Sequence, residues 1–238
     1  MWRGLFQLIW RYNNAKTDEA VVSFRGTVNI QNWVTDINFF QMPFPYASNG
    51  AQVHRGFYET YMAVEAQTMG ALNQILKYHP RAKIILTGHS LGAALATFAA
   101  VHLRLEAKIP AKDITFYTFG SPRTGNQAWA DFFYSLYPAG QTQRVVHYND
   151  IVPHLPQSTF GFTHIGDEVW FNKNSNTDVT YVICENHPGV KEDMGCSSSI
   201  FFNGVEEHLH YMGKAMHEMC IHPQVASNQI QGEFLKSQ

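Results

Sequence analysis

One stretch constrains this chain more than any other: Lys83 to Leu103, KIILTGHSLGAALATFAAVHL. The apolar run Ile84-Ile85-Leu86 ends in Gly88-His89-Ser90-Leu91-Gly92, and small and apolar residues follow at helical spacing. The pattern reads as strand, sharp turn and helix. G-x-S-x-G sets a serine at the apex of a strained strand-to-helix turn and holds its hydroxyl out at the sheet edge. Gly88 and Gly92 stand where a Cβ would crowd the turn or the helix behind it. The amides that open the helix, beginning with that of Leu91, point to where negative charge can develop. The pentapeptide alone is a weak signal, and the β-prone run before it and the Ala-rich run after it give it weight. The competing reading is an ordinary glycine-rich strand-to-helix turn whose serine caps the helix.

The chain around this turn has 238 residues, 45% of them hydrophobic, enough to fill one core, and it is read as a single domain spanning residues 1–238. A formal net charge of -2 without any basic run makes nucleic acid a poor partner. No apolar stretch approaches the length of a membrane span. The opening MWRGLFQLIWRYNN is interrupted by Gln7 and Arg11 and lacks a small-residue cleavage site, so it reads as a strand rather than a signal peptide. Cys184 and Cys196 bracket a polar, turn-rich loop that a local disulfide would close, which suggests an oxidising compartment; two unrelated thiols are the alternative. Cys220 has no evident partner.

Taken in order, Gly4 to Tyr12 and Ala20 to Phe24 read as two strands, followed by Arg25-Gly26-Thr27. Ile30, Trp33, Val34 and Ile37 then fall at i, i+3, i+4, i+7, the stripe of a short amphipathic helix. That helix is either an ordinary surface helix or a mobile cover with Trp33 against apolar ligand. His54 to Tyr78 is a long amphipathic helix stopped at His79-Pro80. Ile114 to Phe119 and Arg144 to Tyr148 are strands, Asn126 to Leu136 a helix, and Val169 to Phe171 with Thr180 to Ile183 a hairpin. Strands alternate with helices, so the fold class is α/β, a mainly parallel central sheet with helices on both faces.

A serine nucleophile needs a base in hydrogen-bond reach and an acid to orient that base, in the chain order Ser, Asp or Glu, His. Asp150 lies 60 residues beyond Ser90, directly after a strand. Asp113 opens a strand at the wrong edge and Asp131 sits inside a helix. Among later histidines, position favours Glu206-Glu207-His208-Leu209-His210-Tyr211-Met212-Gly213, a loop leading into a last helix, and spacing does not separate His208 from His210. His147 reads as a packed residue and His89 as support for the turn. A rival reading is zinc held by His208, His210, His217, Cys220 and His222, but Ile221 stands where H-E-x-x-H requires the second histidine.

Six ordered blocks then resemble the motifs of the fungal-type class 3 lipases: Ser23-Phe24-Arg25-Gly26-Thr27 with Asn32-Trp33, His54-Arg55-Gly56-Phe57-Tyr58, Gly88 to Ala96, Thr118 to Arg123, Tyr148 to Pro153, and His208 to Gly213. The resemblance runs from Leu5 to Cys220 and implies an α/β-hydrolase fold with a short lid helix. It implies Ser90 as nucleophile, Asp150 as orienting acid and His208, the first histidine of its block, as base. The oxyanion hole would be the amide and hydroxyl of Thr27 with the amide of Leu91, and the lid Val28 to Asn38 with Trp33, Ile30, Val34 and Ile37 toward the substrate. The implied activity is ester hydrolysis in triacylglycerols or related acyl lipids at a lipid-water interface, by a secreted protein needing no metal or organic cofactor.

Only 24 residues precede Arg25, so the family's long N-terminal helix is expected to be absent, and the family's last cysteine, here Cys220, would have bridged back to that region. Phospholipase A1, galactolipase or feruloyl-type esterase activity fits the same machinery, and a catalytically silent lipid-binding protein is the reading from another class. Oligomeric state is left open.

Overall fold

The computed structural model describes residues 6–13, 17–27, 29–175, 180–186, 188–189, 192–200 and 204–216. In chain order the elements are β1 (Phe6–Asn13), β2 (Thr17–Phe24), α1 (Ile30–Asp36), β3 (Gln41–Pro43), β4 (Gln52–His54), α2 (Arg55–Tyr78), β5 (Lys83–His89), α3 (Leu91–Leu105), β6 (Ile114–Phe119), α4 (Gln127–Leu136), β7 (Thr142–His147), β8 (Asp167–Phe171), β9 (Val182–Cys184), β10 (His210–Tyr211) and β11 (Lys214–Ala215). Seven strands form one sheet in the order β1-β2-β5-β6-β7-β8-β9. The five central strands are parallel, and β1 and β9 close the two edges antiparallel. The mainly parallel α/β architecture is the one the sequence indicates.

Burial alternates along the strands as a half-covered sheet requires. On β5, Ile84, Leu86 and Gly88 are buried while Ile85, Thr87 and His89 are half-buried. Ala20, Val22 and Phe24 of β2 and Ile114 and Phe116 of β6 join the same buried layer. α3 packs on β2, β5 and β6, with α2 and α4 on its flanks. Its alanines let it approach the strands closely. The sequence places helices on both faces; the three long helices described here gather on one. The reason is topological, because the parallel strands advance steadily in one direction and right-handed crossovers then all fall on the same side. Tyr117, on the opposite face, is 41% exposed.

Local chemistry sets the helix ends. The His54 ring accepts the Phe57 amide proton to cap α2, and the Asn126 side chain accepts that of Trp129 to cap α4. Phe98 and Trp129 sit at the centre of the core and are fully buried. Truncating either to alanine would cost roughly 3–5 kcal/mol through lost transfer energy and the cavity left behind.

One expectation is corrected near the end of the chain. Instead of starting a helix after Gly213, Lys214–Ala215 folds back on His210–Tyr211 as a small hairpin. Met212 and Gly213 both have positive φ, 52° and 74°, the geometry of a tight two-residue hairpin turn. The rest of that expected helix, with His217, Cys220 and His222, lies outside the described residues, as do Val28 and His187.

Candidate active site

The carboxyl ends of β2, β5, β6 and β7 meet at one edge of the sheet, and the candidate residues project from them. Ser90 follows β5 with φ 60° and ψ -131°, a strained backbone for any residue but glycine. Close packing holds it there. A Cβ on Gly88 would come within 2.2 Å of the Gly92 carbonyl oxygen, and one on Gly92 within 2.1 Å of that of Phe24. The capping-serine reading fails, because the Ser90 side chain makes no capping hydrogen bond to α3. Its hydroxyl is buried and has no hydrogen-bond partner.

Asp150 comes three residues after β7 and is fully buried. Its Oδ2 lies 2.8 Å and its Oδ1 3.0 Å from Nδ1 of His208. The Val152 amide donates to Oδ1 at 2.8 Å, and the Tyr211 hydroxyl donates to Oδ2. Burial alone would push this carboxyl up; the His208 ring, the Tyr211 hydroxyl and the Val152 amide outweigh it and hold the carboxyl below its ordinary range. Of the two histidines that spacing leaves open, His208 is the buried one that reaches Asp150. His210 is partly exposed and lies 3.4 Å from Glu206 instead.

His208 Nε2, the nitrogen not facing Asp150, is buried and has no hydrogen-bond partner, like the Ser90 hydroxyl. Two contacts tie this ring to the elbow. The His89 ring lies 4.3 Å from it, centroid to centroid, and His89 Nε2 lies 2.8 Å from the His208 carbonyl oxygen. Burial and the nearby His208 charge press His89 down to about 3, so it stays neutral and donates to that carbonyl. His89 therefore supports the His208 segment as well as the turn. Gly120, just past β6, has φ 54°, and a Cβ there would lie 2.8 Å from both Asp150 Oδ2 and His208 Cε1. The Phe119 carbonyl beside it accepts the Ser90 amide at 3.0 Å.

Leu91 is the first residue of α3, and helix geometry leaves its amide without an internal acceptor at the positive end of the helix dipole. Gly26 brushes the elbow, for a Cβ on it would sit 2.7 Å from the His89 carbonyl oxygen and 3.0 Å from Ser90 Cβ. Thr27, the next residue, is thereby held beside the turn.

Beyond Thr27 the chain enters α1, capped by the Asn29 side chain at the Asn32 amide. Ile30 is buried, while Trp33, Val34 and Ile37 are half-buried. Trp33 stacks on Phe57 at 6.0 Å, and Trp33 and Ile37 pack against the main core. Farther out, Cys184 and Cys196 form the disulfide that their spacing suggests, with Cα atoms 6.3 Å apart. The loop they close carries Glu192, which receives Arg123 Nε at 2.6 Å and Nη2 at 2.7 Å and accepts the His164 amide at 2.7 Å. Burial alone would raise the Glu192 carboxyl; the His164 ring and the Arg123 guanidinium reverse that and hold it at about 2. Within the His-rich zinc reading, His208 is committed to Asp150, and the remaining members beyond His210 fall outside the described residues.

Sequence reasoning missed Tyr211, Val152, Gly120 and Glu192 as parts or supports of the site. Tyr211 and Gly120 lie inside blocks that the sequence singles out, so a signal was present for them; Glu192 has none in local pattern.

Comparison with known proteins agrees with this geometry. Residues 21–160 match the family described as Lipase (class 3). The chain is 37% identical to a lipase of Rhizomucor miehei over 208 residues, covering 87% of this chain and 54% of that protein. It is 39% identical to secreted mono- and diacylglycerol lipase 1 of Fusarium solani over 167 residues, 70% of this chain and 48% of that protein. It thus spans about half the length of the curated relatives it matches. A solved triacylglycerol lipase, described as having a catalytic centre formed by a serine protease triad, superposes with a TM-score of 0.75 at 32% identity, covering 90% of this chain and 83% of that one. With the elbow, the buried acid and histidine beside it and these likenesses together, the chain belongs to the class 3 lipase family.

Proposed function

We propose that this protein hydrolyses carboxylic esters of acylglycerols or related acyl lipids at a lipid-water interface, with Ser90 as nucleophile, His208 as general base and Asp150 as the acid that orients it. The observation that carries this reading is a pair of buried, unpartnered atoms. One is Ser90 Oγ at the strained elbow, and the other is Nε2 of a ring whose Nδ1 already faces Asp150.

In the first half-reaction His208 Nε2 takes the Ser90 proton as Oγ attacks the ester carbonyl carbon. The oxyanion of the tetrahedral intermediate is met by the amides of Leu91 and Thr27, each such donor worth about 3–4 kcal/mol in the transition state. Collapse breaks the C–O bond to the alcohol, which leaves with the proton from His208. Water, deprotonated by the same nitrogen, then attacks the acyl-enzyme and releases the fatty acid. Asp150 stays ionised throughout and stabilises the imidazolium.

The lipid preference rests on the apolar cover and its rim. The α1 stripe lies closed on Phe57, and Phe40 and Phe160 stand exposed nearby, with Phe39 4.7 Å from Phe160. Displacing α1 at an interface would expose Trp33 and Ile37 to acyl chains. Secretion is part of the same proposal, supported by the disulfide and by relatives described as secreted.

A panel of emulsified triolein, phosphatidylcholine and soluble short-chain esters, run on parent protein and Ser90→Ala, tests the reading. Loss of ester hydrolysis and of fluorophosphonate labelling in Ser90→Ala is expected. A variant retaining activity within about tenfold of the parent would remove Ser90 from the mechanism.

A further inference from the structure

We infer that Glu65, His102 and Glu106 form a site for one divalent transition-metal ion of the zinc type, which clamps α2 to α3. One ligand atom from each lies within 4.8 Å of the others. His102 and Glu106 are one turn apart on α3 and share a face, while Glu65 reaches across from α2. His102 Nδ1 is 3.2 Å from Glu106 Oε1 and 3.9 Å from Glu65 Oε1. Tetrahedral zinc with bonds of about 2.0–2.2 Å requires donors spaced by roughly 3.3 Å, so only small rotations of the two glutamates are needed.

The His102 side chain is 1% exposed; its Nδ1 faces the Glu106 and Glu65 carboxylates without an aligned hydrogen bond, and its Nε2 has no hydrogen-bond partner. A buried polar group left idle is uncommon and calls for a partner. The Tyr61 ring packs edge-on to it at 5.0 Å, and its hydroxyl is also buried and unpartnered. The Tyr46 hydroxyl donates to Glu106 Oε1 at 2.6 Å and would orient that ligand from behind.

One imidazole with two carboxylates suits zinc, whereas calcium and magnesium favour all-oxygen shells. The site sits twelve residues down α3 from Ser90, about 18 Å at 1.5 Å per residue, so the ion would act on helix packing and not on the ester.

The test strips the protein with EDTA, adds zinc chloride, and reads zinc content after dialysis together with the thermal midpoint. The parent is expected to hold one zinc more than Glu65→Gln or Glu106→Gln and to melt higher with zinc than without. Tyr46→Phe should weaken zinc binding by roughly 10- to 100-fold. Soluble-ester hydrolysis should be unchanged in all three. Equal zinc retention by the parent and both glutamine variants, no retention by the parent, or equal stabilisation of the parent by calcium would each overturn the site.

Discussion

Tyr211 donates its hydroxyl hydrogen to Oδ2 of Asp150, the same oxygen that lies 2.8 Å from His208 Nδ1. Two residues of one short segment, three apart, thus hold a single carboxylate from two directions. The segment that brings His208 to Asp150 also brings the hydroxyl that helps hold this carboxyl below its ordinary range.

Removing that hydroxyl should therefore be felt in acid. Asp150 has a folded-state pKa below its unfolded value, so its contribution to stability is present above about pH 4 and is lost as pH falls through the folded value. Tyr211→Phe raises the folded value and should cost about 1.5–3 kcal/mol at neutral pH. Urea unfolding between pH 3 and 7 would show the loss, with the acid-unfolding midpoint moved to higher pH.

His208→Ala and His210→Ala should separate by orders of magnitude. On the proposed mechanism, loss of the buried ring removes the group that takes the serine proton, and kcat should fall at least ~10⁴-fold. His210, beside Glu206 at the surface, should leave the rate within about twofold, since surface substitutions of this kind change little. Single-turnover release of p-nitrophenol reads both.

Gly120→Ala places a Cβ 2.8 Å from Asp150 Oδ2 and His208 Cε1 on a backbone with φ 54°. Shifting the pair by about 1 Å should cost roughly 10²-fold in kcat. The loss should appear at saturating substrate, with folding checked by circular dichroism.

Glu192→Gln should destabilise by roughly 3–5 kcal/mol, because it strands the buried Arg123 guanidinium without its counter-charge. With the folded carboxyl at about 2, the native ion pair persists well below the ordinary glutamate range and fades only as pH falls toward 2. Reducing the Cys184–Cys196 bridge should cost a smaller amount, roughly 2–3 kcal/mol, by freeing the loop that carries Glu192. Denaturant midpoints with and without dithiothreitol compare the two.

Trp33→Ala removes the stack of α1 on Phe57. If α1 is a cover, the variant should hydrolyse dissolved short esters at least as fast as the parent and lose much of any rate increase above the substrate's solubility limit. An unchanged rate profile across that limit would assign α1 a packing role only.

How much of this could be read beforehand follows the range of each signal. The elbow was legible because its strand, glycines and alanine-rich helix are contiguous, and Asp150 because it ends a strand at the same edge. Spacing did not separate His208 from His210, since both sit in one loop; the family resemblance favoured His208, and a contact across 58 residues puts that ring on Asp150. Glu192 was invisible for the same reason, pairing with Arg123 across 69 residues inside a loop that reads as polar surface. The one-sided placement of the helices depends on strand order, which local periodicity does not encode. The hairpin after Tyr211 was hidden because Met212 adopts a left-handed backbone that its residue type does not advertise.

The backbone clearances at Gly26 and Gly92 divide the protein into a part that tolerates replacement and a part that does not. Where main chain meets main chain with no room for a methyl group, any side chain would force the backbones apart, so these two positions admit glycine alone. α1, held by buried Ile30, by the stack of Trp33 on Phe57 and by Ile37 against the core, is fixed by side chains and has more room to change. On the proposed function, substrate preference can thus change without touching the elbow.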